Sequence, residues 1–213
     1  MSHHESAAQG PDARMVDRML FFSDAVFAIV LTLLAIELHA PEIHESGLWP
    51  ALAAMGAQFF AFGLSFALIG LWWLIHMRVM RKLTHFDWPT AICNLLLLAS
   101  ITLLPFASAV FGENFADMDA LQFYWWVSAA TASSMTLTFL VAARDGGRLI
   151  GGISMGEWLF RLTQSLAPVI AFLAGVYFCA TDQVWPARFA AFIMFPIMML
   201  GRVFYRAPKP VKA

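Results

Sequence analysis

Charge is scarce in this chain. Only 13% of its 213 residues are Asp, Glu, Lys or Arg, about half the share in an ordinary soluble domain. Cysteine is scarcer still: Cys93 and Cys179 are the two present, and both sit inside apolar runs. That excludes a disulfide framework and a Cys/His metal cluster. The formal net charge of −1 gives no electrostatic reason to bind nucleic acid. The first twenty residues hold no apolar h-region, so no cleavable signal peptide is expected and the first apolar run is a retained helix. Catalytic patterns are missing too: no Ser–His–Asp arrangement, no His-Glu-x-x-His and no phosphate-cradling glycine loop occur, so no enzyme and no cofactor is expected. Arginine does not recur at every third position, which excludes the usual voltage sensor. The Thr-Val-Gly-Tyr-Gly filter is absent, and Gly175-Val176-Tyr177 is a fragment of it without weight.

What the chain has is apolar length. Hydrophobic residues make up 61% of it, against roughly 45–50% in soluble proteins. They fall into six runs: Met19–Leu38, Trp49–Ile75, Pro89–Phe111, Leu121–Ala143, Leu159–Ala180 and Val184–Phe204. Each approaches the ~20 residues that cross ~30 Å of hydrocarbon. The second is long enough to tilt or emerge. The reading is an all-α integral membrane protein, one domain over 1–213, with six transmembrane helices and the lipid bilayer as its solvent. Basic residues set the orientation. With the amino terminus inside, 12 of the 13 Lys/Arg face the cytoplasm: Arg14, Arg18, Arg78, Arg81, Lys82, Arg144, Arg148, Arg161, Arg202, Arg206, Lys209 and Lys212. Arg188 is the exception. Glu42, Glu45, Glu113, Asp117, Asp119 and Asp182 lie outside. Both termini are therefore expected in the cytoplasm. Gly146-Gly147 and Gly151-Gly152 predict a flexible fourth inner connection, and Pro105, Pro168 and Pro196 fall within apolar runs, where neighbouring helices can satisfy freed carbonyls.

The first run carries the sharpest chemistry. A helical projection puts Ile29, Leu33 and Ile36 on one line, with Phe22 and Ala25 extending it, and turns Asp24 more than roughly 100° away. Such a stripe can face lipid, a packed neighbour or a pore. Thr32 beside it is expected to bond back to the carbonyl of Ala28. Asp24 is costly at membrane depth and needs a partner. Gln58, Ser65, Trp72 and His76 share a face of the second helix, where an indole N–H from Trp72 or Trp73, or His76 itself, could bond the carboxylate. Arg18 could close that network. Asp24 and His76 then form a structural lock or, since histidine titrates near neutrality, a proton relay. Ser128, Thr131, Ser134 and Thr138 read as a close-packing face of the fourth helix. His44, with Glu42 and Glu45, reads as a solvated loop or a weak metal site. His3, His4 and His39 sit at or beyond helix ends.

The run Arg18…Phe22-Ser23-Asp24-Ala25-Val26-Phe27-Ala28-Ile29, followed by Thr32-Leu33-Leu34, closely resembles the signature first helix of the transmembrane protein 175 family, whose prokaryotic members are potassium-permeable cation channels. The resemblance continues through Ser65-Phe66, Trp73, His76, Asn94-Leu95 and Leu104-Pro105-Phe106, covering the first half of the chain. The last three runs match in hydropathy and length alone. The resemblance implies a homotetramer in a prokaryotic cell membrane, each first helix lining a central pore. Ile29, Leu33 and Ile36 then look like apolar rings at the constriction, and Thr32 like a position that influences selectivity. Arg18, Ser23, Asp24, Trp73 and His76 look like the polar network holding the first two helices together. K⁺, and other monovalent cations less selectively, would be the permeant ions, since apolar rings offer no ligand to replace hydration water. One departure is Ile29, where leucine is common; branching at Cβ stiffens it. Two rival functions remain: a proton channel or proton-coupled transporter using Asp24 and His76, and a non-transporting scaffold.

Overall fold

A computed structural model of the chain describes residues 11–43 and 47–204. His3, His4, His44, Glu45, Arg206, Lys209 and Lys212 lie outside the described residues. Six helical spans are long and apolar enough to cross a membrane: Asp12–Ile36, Gly56–Met80, Trp88–Glu113, Met118–Ala142, Met155–Ala180 and Val184–Gly201. The protein is thus an all-helical, multi-pass membrane protein.

The spans differ from the apolar runs at their edges. The first helix, α1, covers Pro11–Ile36, starting before the apolar run with Asp12 in its first turn. Proline suits a first helical position, and an acidic residue complements the helix dipole. The long second run is two helices. α2 (Leu48–Ala54) buries no residue, and α3 (Gly56–Met80) follows a break at Met55. The third span also breaks: α4 (Trp88–Thr102) passes through Leu103 into α5 (Leu104–Glu113), with Pro105 in the first turn of the new helix. Proline has no N–H and clashes with the turn before it, so the helix restarts there.

α6 (Met118–Ala142) is the central element, packed against α3, α4, α5 and α8 (Met155–Ala180). Its interface with α8 turns on one close approach. Trp125 stacks on Phe172 with ring centroids 5.5 Å apart, and its Nε1 donates to the carbonyl of Ala187 at 3.0 Å. Gly175 makes this possible, because a Cβ there would lie 2.8 Å from Trp125 Cδ1. Lower on the same interface, Thr136 Oγ1 donates to the carbonyl of Ser165, one turn before Pro168. A neighbour thus serves the turn that the proline loosens. Ser128 and Thr131 are fully buried in α6, as the packing reading requires, and Ser134 is half-buried. The last span is interrupted: α9 (Val184–Phe189) reaches α10 (Met194–Phe204) through a 3-10 turn at Ala190–Ile193.

The glycine-rich fourth connection is folded rather than loose. It forms α7 (Arg144–Gly147) and a 3-10 turn at Arg148–Ile150. Thr84 donates to the carbonyl of Leu149 through its backbone N–H at 2.8 Å. Gly147 has a φ of 77°, and a Cβ there would meet Ile153 at 2.5 Å. Asp87 caps α4 by accepting from the N–H and hydroxyl of Thr90, and Arg144 Nη2 donates to it at 2.6 Å. Burial alone would raise the Asp87 carboxyl, but the bonds from Thr90 and the Arg144 charge outweigh it and hold the group below its usual range. Glu157 joins Lys82 and Arg161 at the same end of the bundle. Arg188, the basic exception, is occupied at the opposite end: it donates to the carbonyl of Phe115 at 3.3 Å and lies over that ring.

Candidate functional site

α1 packs by one face only. Val16, Ser23, Phe27, Val30 and Leu34 are buried, at the spacing that forms a single helical stripe, against α3, α4 and α5. Away from it the Ile29, Leu33 and Ile36 side chains are bare, at 57%, 37% and 67% exposure. Thr32, also exposed, donates to the carbonyl of Ile29 at 2.7 Å, so the expected bond to Ala28 is made one residue later.

The flank of α1 carries a polar network of two branches. In one, Trp73 Nε1 donates to Asp24 Oδ1 at 2.9 Å. In the other, His76 Nε2 donates to Asn94 Oδ1 at 2.7 Å, Asn94 Nδ2 donates to Ser23 Oγ at 2.8 Å, and Ser23 donates to the carbonyl of Met19 at 2.8 Å. An amide oxygen accepts and its nitrogen donates, so this direction of the chain puts the proton of a neutral His76 on Nε2. Nδ1 is buried without a partner, close to the ring of Phe27. Tyr124 and Ser65 share a further buried hydrogen bond at 3.0 Å.

Four of the five polar residues singled out in the sequence, Ser23, Asp24, Trp73 and His76, therefore gather along the α1–α3–α4 seam. Two details differ from expectation. His76 bonds Asn94 rather than the Asp24 carboxylate. Arg18 does not pair with Asp24; it is exposed and lines an open groove of about 340 Å³ with Met15, Met19, Phe22, Phe86, Ala91, Asn94 and Leu95. Six residues turn a helix by about 240°, which carries the two side chains to different faces. The partner that sequence reasoning left unassigned is Asn94, noted there only as part of the family resemblance. Its signal was an amide buried in a leucine run, a position that polar groups occupy only with partners. Among the described residues no group of three or more His, Cys, Asp or Glu converges as a metal site.

The class of molecule is set by these spans: a six-span helical membrane protein whose first helix is locked at one flank and bare on another. Comparison with known proteins narrows it. Residues 18–105 match the family model described as "Endosomal/lysosomal potassium channel TMEM175". A protein of Streptomyces collinus named a potassium channel is 32% identical over 123 residues, 57% of this chain and 60% of that one. A potassium channel of Chamaesiphon minutus is 33% identical over 49% of this chain and 53% of its own. The rat protein named an endosomal/lysosomal proton channel, TMEM175, is 32% identical over 50% of this chain and 25% of its own. The matched region thus spans little more than half of the bacterial relatives. The crystal structure of a lysosomal potassium-selective channel TMEM175 homolog from Chamaesiphon minutus superposes with a TM-score of 0.70 at 23% identity, covering 89% of this chain and 97% of that one. The chain is similar to the TMEM175 family in sequence over its first three spans and has the fold of a TMEM175 homologue over nearly its whole length.

Proposed function

We propose that this protein is a potassium-permeable cation channel of the cell membrane, a homotetramer with α1 of each subunit lining the pore and both termini in the cytoplasm. The observation that carries the reading is the bare Ile29–Leu33–Ile36 stripe on a span that packs by a different face, within a fold shared with a TMEM175 homologue. In the tetramer these side chains form apolar rings, and Thr32 lies just off the narrowest. Such rings supply no oxygen ligand, so cations pass hydrated or partly dehydrated and a slight closure empties the ring of water. Modest rather than steep K⁺ over Na⁺ preference follows. Ser23, Asp24, Trp73 and His76, joined by Asn94, hold α1 at a fixed rotation so that the stripe faces the axis. Arg18 sits one side of that seam, at the inner mouth.

Proton relay is the less favoured reading. No hydrogen bond links Asp24 to His76, and the His76 chain ends on a backbone carbonyl that cannot accept and pass on a proton. Liposomes carrying the purified protein separate the readings. The channel reading expects K⁺ flux driven by a K⁺ gradient. Vesicles tight to K⁺ that collapse a proton gradient would contradict it.

A further inference from the structure

At the outer ends of three spans lies a small, partly open recess, with Glu113 exposed at its edge, that the pore reading leaves unused. It measures about 20 Å³ and is lined in part by Glu37, just past α1, Gln58 of α3, and Ser108, Gly112 and Glu113 of α5. That is room for one water or one desolvated ion. Its polar lining holds two carboxylates, a hydroxyl and the amide of Gln58, which brings an NH2 donor beside its acceptor oxygen, and there is no Lys, Arg or His among the lining residues.

Two of these groups lack partners. Ser108 is only 5% exposed and makes no hydrogen bond among the described residues, although a helical serine ordinarily bonds back to its own helix. Gln58 Oε1 is buried and unpaired. Gly112 leaves the wall thin, since a Cβ there would lie 3.1 Å from Gln58 Cα. One water has two hydrogens to offer these acceptors. A hard cation meets all of them at once, and such ions take carboxylate, amide and hydroxyl oxygens as ligands.

We propose that this cavity binds a hard divalent cation of the calcium class, held by Glu37, Glu113, Gln58 Oε1 and Ser108 Oγ. Two carboxylates balance its charge. The exposed acidic residues Glu42, Asp117, Asp119 and Asp182 raise the local cation concentration without touching the site. The ion ties the end of the first span, immediately after Ile36, to the second and third spans. The site stands independently of the channel reading, because its test needs no transport.

The test uses the full chain in detergent, stripped with chelator and titrated with CaCl₂ at constant ionic strength. Thermal unfolding and calorimetry are read together. The expected result is a saturable rise in Tm and saturable heat, with a midpoint on the order of 10⁻⁴–10⁻³ M. Glu113→Gln raises that midpoint by about tenfold or more, a charge-ligand loss. Ser108→Ala, the milder change, also raises it, and Glu42→Gln leaves it in place. A non-saturating response, or equal weakening by Glu42→Gln and Glu113→Gln, overturns the proposal, because diffuse screening would then explain the effect.

Discussion

Asn94 is where the polar lock is most exposed to a single change. Asn94→Leu keeps the volume and removes both functions of the amide. His76, 1% exposed, then has neither ring nitrogen partnered, and Ser23 loses its donor. An unsatisfied buried donor costs about 1–3 kcal/mol. Hydrogen bonds inside membrane bundles run lower, from about 0.6 to 1.7 kcal/mol, because the unfolded chain in lipid also finds partners. The expected loss is thus about 1–2 kcal/mol, or roughly 2–8 °C in Tm for a chain of this size. His76→Leu alone should cost a similar amount. The double variant should cost clearly less than the sum, with a coupling of about 1 kcal/mol, since removing both partners leaves nothing buried and unpaired. Thermal unfolding followed by tryptophan fluorescence closes the cycle. A loss below about 0.5 kcal/mol for Asn94→Leu, or strict additivity, would refute the reasoning, being the scatter expected of independent sites.

Gly175→Ala should lower stability by about 1–3 kcal/mol, because the new methyl group must displace the indole of Trp125; an unchanged Tm in the same fluorescence assay would contradict the close approach. Asp87→Ala removes the α4 cap together with its bond to Arg144 and should cost about 1 kcal/mol or more by thermal unfolding. The pH dependence has a definite sign. The Asp87 carboxyl is held below its unfolded value of about 3.9, so its contribution is fully present above that pH and is lost as pH falls through the lower folded value. The native protein should therefore lose stability faster than Asp87→Asn in acid titrations below about pH 4.

The number of spans was legible because crossing lipid imposes a length and an apolar composition, and the six runs satisfy both. Helix ends were less so, since hydropathy marks where lipid ends rather than where the helix ends. α1 continues through Asp12–Arg18, where Asp12, Arg14, Asp17 and Arg18 interrupt the apolar pattern that would announce it. Proline shows the same limit from the other side. Pro105 marks a helix restart and Pro168 does not, and the difference at Pro168 accompanies a hydroxyl on another helix, Thr136. The Asp24–Trp73 bond followed from the cost of a carboxylate and the reach of an indole. The role of Asn94 did not, because Ser23 is 71 residues distant in sequence and no local pattern pairs them. Arg18 drew attention by its charge, yet its spacing from Asp24 already argued against contact.

The measurement that bears most directly on the channel reading is K⁺ and Na⁺ flux through liposomes carrying native protein or Ile29→Asn. If Ile29 forms an apolar ring, an amide at that position wets the constriction, so the variant should conduct faster and discriminate less between the two ions. Native-like flux and selectivity in a well-folded Ile29→Asn protein would put this side chain outside the conduction path and contradict the account.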